Sequence, residues 1–199
     1  MNKIIMSAVL ALTSTLGACN SGAVKTELPE GASQEELRTE AKRLKEDLAA
    51  LTTCPADQIV DLDAFMLDLP ELEGSEEAFH KTMGERESVM TLPSGLQYTV
   101  VKSGTGNRLI PKPEEVVRVN YHGVFPTGEK FDSSFDRGEP TEFPLNRVIS
   151  GWTEGVGLMR PCDAWTFYIP SDLAYGPQGR PGIPGGASLV FHVQLLEIK

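Results

Sequence analysis

The chain has 199 residues, of which 40% are hydrophobic and 23% charged, and its formal net charge is −10. That length gives room for one domain plus an accessory region. The acidity excludes the basic footprint of a DNA- or RNA-binding protein, so no nucleic acid is expected among its partners.

Residues 1–18 read as a signal peptide. Lys3 supplies a positive start and 4–16 is a mostly apolar run of 13 residues. A membrane-spanning helix needs about 20 residues, so the run suits a signal core better. It closes on Leu16-Gly17-Ala18-Cys19, which resembles a bacterial lipobox. In that reading Cys19 becomes the lipidated N-terminus, and two or more acyl chains give a stable anchor. The other reading is an ordinary secretory signal with a coincidental cysteine. Asn20 does not look like an inner-membrane retention signal, which favours the outer membrane and a periplasm-facing domain. Residues 19–32 are small and polar and read as a tether.

Residues 33–90 form an acidic, largely helical region. The charge over 20–90 is −10, against −1 over 91–199. A solvated arm and a client-binding surface for basic chains both fit that acidity. Ser33 and Glu36 are spaced as a capping box, and Leu37, Ala41, Leu44, Leu48 and Leu51 repeat as a heptad seam of little more than two heptads. Ile59, Leu62, Phe65, Met66 and Leu69 suggest a second helical face. Ser75 opens a further helix through Phe79 and Met83, with Glu76 and Glu77 where the helix dipole favours them.

Residues 91–199 read as a globular α+β domain with an antiparallel sheet of about five strands around one short helix. Leu96, Tyr98 and Val100 alternate with polar neighbours, and Ser103-Gly104-Thr105-Gly106 marks a turn. In the central strand Val117, Val119 and Tyr121 point one way, while Arg118, Asn120 and His122 point the other. Pro126-Thr127-Gly128 turns the chain. Beyond it Asp132 follows Phe131, and a buried carboxylate there needs a partner, for which Arg137, Ser133 and Ser134 are at hand. Residues 146–158 hold the only helix expected here, with Asn146 as a candidate N-cap. Val148, Ile149, Trp152 and Val156 share one face of it. Residues 164–169 and 188–198 alternate as strands.

No hydrolase arrangement is present, because Asp132, Ser133 and Ser134 adjoin along the chain and a triad must converge in space. His122 and His192 each follow an inward aromatic and are expected at the surface of the outer sheet face. Zinc spacing is missing, so no metal is expected. Once Cys19 is lipidated, Cys54 and Cys162 remain. In an oxidising compartment they either bridge the N-terminal region to the domain or stay as independent thiols.

Phe143-Pro144-Leu145, Val148-Ile149-Ser150-Gly151-Trp152, Tyr168-Ile169-Pro170, Ala174-Tyr175-Gly176, Gly182-Ile183-Pro184 and Leu189-Val190-Phe191 follow in order. With Tyr121, Phe131 and Asp132 they make residues 91–199 resemble an FKBP-type peptidyl-prolyl cis-trans isomerase domain. The likeness is to the bacterial lipoprotein and periplasmic branch, the macrophage-infectivity-potentiator type. It implies an FKBP-like fold and an enzyme of protein folding, a rotamase acting on proline-containing unfolded or exported polypeptides without a cofactor. The alternative class is a chaperone that holds proline-containing segments without turnover.

The resemblance also implies a pocket. Trp152 is its floor, and Tyr121, Phe131, Phe143, Val148, Ile149 and Phe191 are its walls. The Ile149 amide donates to a bound carbonyl, Tyr175 offers a hydroxyl, and Asp132 lies near the twisting carbonyl. Ile183 sits in a flap over residues 176–187. Macrolide inhibitors are implied as ligands, and family members often dimerise through an N-terminal helix, here 33–52. The alternative is one amphipathic helix packed on its own chain. Two departures stand out. Pro161-Cys162-Asp163 replaces a turn that usually holds a charged residue and glycine, and Gly185-Gly186 should loosen one end of the flap.

Overall fold

A computed structural model describes residues 33–65, 69, 75–104 and 109–199. The signal peptide, Cys19, the tether, Met66 and Gly106 lie outside the described residues. The chain divides into two compact units, one ending at Leu48 and one running over Ala49–Lys199.

Helix α1, Gln34–Thr52, begins with the expected box: the Ser33 amide donates to Glu36 Oε2 at 2.7 Å and the Glu36 amide to Ser33 Oγ at 3.3 Å. None of its residues is buried. Beyond it, among the described residues, the second helical face does not form. Two single 3-10 turns, Ala56–Gln58 and Leu62–Phe65, replace it, because the backbone there is held by the sheet, as described below. Helix α2, Glu76–Gly84, starts at Ser75, whose hydroxyl accepts the Ala78 amide, and buries Phe79 and Met83.

The sheet has seven antiparallel strands: β1 Met90–Thr91, β2 Gln97–Lys102, β3 Val116–Val124, β4 Lys130–Ser133, β5 Thr141–Pro144, β6 Ala164–Ile169 and β7 Leu189–Ile198. Their order is β1-β2-β6-β7-β3-β4, with β5 also paired to β3. The extra strands are the two-residue β1 and short β5, which carry too few residues for alternation to declare itself. The 2-residue periodicity of β3 sends Val117, Val119 and Tyr121 into the core and leaves its alternate residues on the outer face.

The short helix α3, Ser134–Arg137, follows β4, and helix α4, Ser150–Val156, lies on the inner face. Two glycines let α4 sit close. A Cβ on Gly151 would fall 2.6 Å from Ile169 Cγ2, and one on Gly155 would fall 2.5 Å from Phe167 Cε1. Asn146 is not its cap. It belongs to a 3-10 turn, Leu145–Arg147, and the chain is extended at Val148 and Ile149 before the helix begins. Nor is α4 alone in this half. Ser133 caps α3 through the Asp136 amide and Gly138 closes it at φ 73°.

The outer face is not free surface. The segment after α1 runs across it, tied by three kinds of contact. Cys54 and Cys162 form a disulfide across 108 residues. The Cys54 amide donates to the Leu196 carbonyl at 2.6 Å. The side chain of fully buried Gln194 accepts from the Val60 amide at 2.9 Å and donates to the Gln58 carbonyl at 3.0 Å. Phe65 then covers His192, with ring centroids 5.5 Å apart. Further along, Phe79 and Met83 pack on Val124, Tyr168 and Val190. His80 bridges Gln97 and Ser188 at 2.9 Å each. The acidic region is therefore, over these residues, a packed layer rather than a solvated arm. His192 is correspondingly a buried residue at 8% exposure, not a surface one.

Candidate functional site

A cavity of about 550 Å³ opens on the inner side of the sheet. Trp152, carried by α4 and 4% exposed, is surrounded by rings standing edge-on to it. Tyr121 lies at 5.5 Å, Phe143 at 5.6 Å and Phe191 at 5.2 Å between centroids, with interplanar angles of 85°, 83° and 81°. Edge-to-face packing of this kind fixes each ring by its neighbours and adds about 0.5–1.5 kcal/mol per pair to burial. Phe131 meets Phe191 at 5.3 Å in the same manner. It can do so only because Gly123 lies beneath: a Cβ there would fall 2.6 Å from Phe131 Cζ and 2.9 Å from Phe191 Cε1. Sequence reading passed over Gly123, whose only signal is a glycine at an inward position of an otherwise branched strand.

The polar groups gather at one wall. The Tyr121 hydroxyl donates to Asp132 Oδ2 at 2.6 Å. Arg137 donates to Asp132 Oδ1 at 2.6 Å, to the Tyr121 hydroxyl at 2.7 Å and to Thr141 Oγ1 at 3.1 Å. Helix α3 places that arginine five residues beyond the aspartate. Burial pushes the Tyr121 phenol up to about 12, aided by its bond to Asp132, so it remains a donor. Burial also works against the Asp132 charge, but the Tyr121 hydroxyl and Arg137 outweigh it and hold the carboxyl below its ordinary range. An Arg137→Gln change leaves burial opposed by the Tyr121 hydroxyl and the Ser133 backbone only. The Asp132 titration midpoint is then expected to rise, as read by carbon-detected NMR of the carboxylates. An unmoved midpoint would assign the effect to Tyr121 and the Ser133 backbone instead.

The structure brings Tyr121, Phe131, Asp132, Phe143, Val148, Ile149, Trp152, Tyr175 and Phe191 to one cavity. Ile183 is not among its lining residues. It is 3% exposed and belongs to the core, because the Arg180 and Ile183 backbones bond each other at 2.9 Å in both directions and turn the side chain inward. The flap is tight rather than loose. A Cβ on Gly185 would lie 2.1 Å from the Pro177 carbonyl oxygen, and the Gly186 amide donates to the Gly176 carbonyl at 2.9 Å. The glycines are there because backbone strands of the loop touch. Arg147, Ser150, Ala174 and Arg180 complete the lining. The sequence reading missed them: Arg147 and Arg180 stand on turns, which carry no periodicity, Ser150 only opens α4 and Ala174 closes a 3-10 turn.

Residues 108–196 match the family model described as FKBP-type peptidyl-prolyl cis-trans isomerase. Over 165 residues the chain is 42% identical to the FKBP-type peptidyl-prolyl cis-trans isomerase FkpA of Aeromonas hydrophila, covering 83% of this chain and 58% of that one. Over 167 residues it is 30% identical to the outer membrane protein MIP of Legionella longbeachae, covering 83% and 67%. Among solved structures, FkpA from Escherichia coli superposes with a TM-score of 0.59 at 29% identity, over 100% of this chain and 82% of that one. A peptidyl-prolyl cis-trans isomerase from Pseudomonas syringae gives 0.57 at 34% identity, over 62% and 90%. The chain spans about half the length of the curated FkpA and Mip relatives from Aeromonas, Coxiella and Escherichia that it matches.

Proposed function

The chain belongs to the FKBP-type peptidyl-prolyl cis-trans isomerase family, and from that premise we propose that it accelerates X-Pro isomerisation in the folding of exported proteins. The observation that carries this reading is the cavity itself: a Trp152 floor, a ring of aromatic walls and one immobilised carboxylate.

The reaction asks for little else. Amide resonance sets a barrier of about 18–20 kcal/mol, and uncatalysed exchange takes on the order of tens to hundreds of seconds. Resonance places partial negative charge on the carbonyl oxygen, which water stabilises. An apolar cavity removes that stabilisation. Asp132, ionised and held by Tyr121 and Arg137, makes the planar form still less favourable when its charge faces the same oxygen. Twisting returns electron density to nitrogen, so the transition state suffers less. Trp152 seats the proline ring. The Ile149 amide and the Tyr175 hydroxyl hold the flanking carbonyls and so fix one end of the peptide while the other turns. No proton moves and no covalent intermediate forms. The same apolar cavity would accept a macrolide.

The run over 4–16 and the Leu16-Gly17-Ala18-Cys19 motif support export with a lipid on Cys19, an outer-membrane anchor and a periplasm-facing domain. The heptad seam of 33–52 supports a homodimer.

A refolding assay limited by proline isomerisation tests the function. Protein lacking residues 1–19 should accelerate the slow phase at catalytic concentrations, and Asp132→Ala with Tyr175→Phe should lose roughly a hundredfold of that effect, the lower end of what a placed donor contributes. A yield that rises only in stoichiometric proportion, equally with both proteins, would replace the enzyme by a holdase using the same cavity.

A further inference from the structure

We propose that Arg147 and Arg180 make this site select prolyl bonds flanked by an acidic side chain, a specificity that rests on the isomerase reading above. Both arginines line the cavity. They stand on different elements, Arg147 at the end of the 3-10 turn before α4 and Arg180 at the bridge with Ile183. Each is exposed at the rim, where a peptide seated on Trp152 must leave the cavity.

Three features make them available to a substrate. Among the described residues neither arginine forms an ion pair. The one carboxylate in the lining, Asp132, is already matched by Arg137 at 2.6 Å, so it does not neutralise the rim. Arg180 is also held in place. Its guanidinium lies 4.8 Å from the Tyr175 ring centroid, and its backbone is fixed by the paired bonds to Ile183. Gly179, at φ 64°, packs so closely that a Cβ would fall 2.3 Å from the Ile183 carbonyl oxygen. An arginine so supported loses little side-chain freedom on meeting a carboxylate. The local sign opposes that of the whole chain, whose net charge is −10. Long-range attraction would bring basic polypeptides near, while the rim favours a carboxylate beside the proline. Aspartate and glutamate fit this chemistry, and a neutral aliphatic residue gains nothing from it.

The test is the ratio of kcat/KM for capped peptides Ala-Xaa-Pro-Phe and Ala-Leu-Pro-Xaa, with Xaa as Glu, Leu or Lys, using the full chain in detergent. Exposed pairs are individually weak and salt-screened. A Glu-over-Lys preference of about tenfold in at least one series is expected at low salt, shrinking to about twofold at high salt. Arg147→Gln with Arg180→Gln should bring the ratio near one, and the corresponding double lysine variant should keep most of it. Taking the ratio within one protein cancels any general loss of activity. A wild-type ratio near one, or a ratio that survives the glutamine changes, overturns the proposal. If no peptide is turned over, the isomerase reading fails instead, and fluorescence polarisation of the same peptides, labelled, still decides whether the rim selects acid.

Discussion

Reducing the Cys54–Cys162 bridge is expected to lower the stability of the second unit by about 3–4 kcal/mol while leaving the cavity intact. The bond closes a loop with a sequence separation of 108 residues. Chain-entropy arguments assign a loop of that size about 4.7 kcal/mol, and measured bridges usually give somewhat less. Part of that gain is spent locally. Cys162 has φ 76°, a left-handed conformation that costs a side chain about 1–2 kcal/mol. The turn is kept there by its neighbours: the Cys162 amide donates to the Leu195 carbonyl at 2.8 Å, and buried Asp163 accepts the Gly104 and Arg160 amides at 2.6 and 2.7 Å. A Cys54→Ser, Cys162→Gly protein should therefore recover about 1 kcal/mol relative to Cys54→Ser, Cys162→Ser. Thermal melts with and without reductant should differ by about 10 °C at this size. Equal melts would mean that Gln194, Phe65 and the Cys54 amide hold the outer layer unaided. Loss of slow-phase acceleration on reduction would mean that the two faces of the sheet are coupled.

How much of this was legible in the sequence differs by element. Val117, Val119 and Tyr121 declared the central strand because one face is buried and the period is two. The capping box at Ser33 and the N-cap at Ser75 declared two helix starts because their chemistry is local. The turn at Cys162 stood out as a departure from the family, and a non-glycine at positive φ is the physical form that departure takes. What the sequence hid was tertiary. Nothing local says that Gln194 should receive the chain at Val60, or that Phe65 should close over His192, since those contacts join residues more than a hundred positions apart. His192 was misread for that reason. An outer sheet face looks solvated until the layer that covers it is known. At the cavity, rings and carboxylate could be named from family spacing, but Gly123 works by the absence of a side chain, and Arg147 and Arg180 lie on turns. Ile183 went the other way, because paired backbone bonds decide which way its side chain faces.

That covered face makes stability depend on pH in a defined window. All three histidines of the chain, His80, His122 and His192, touch the outer side of the sheet or the layer over it. His192 is enclosed by Phe65, by Thr166 Oγ1 at 2.9 Å and by the His122 ring at 6.1 Å. Burial, and then the neighbouring His122, lowers its pKa to about 4. Burial also lowers His80, against the Gln97 bond and the Glu76 charge, and lowers His122, against Asp136 but with Lys130. In each case the folded state resists the proton. Above pH ~6.5, the ordinary histidine value, neither state is charged and the stability is complete. Below it the unfolded chain binds protons that the folded chain refuses, so stability falls until the folded pKa is reached. For His192 alone the loss between pH ~7.5 and ~4.5 is about 2–3 kcal/mol, with the other two adding in the same direction. Asp132 adds little in this window, because it is held below its ordinary 3.8 and its contribution is lost mainly in stronger acid. Urea midpoints should drop by roughly 1 M across this range, and His192→Gln should flatten most of the slope. Equal midpoints at the two pH values, or a slope unchanged in the glutamine variant, would mean that the layer opens enough for water to reach His192 without unfolding.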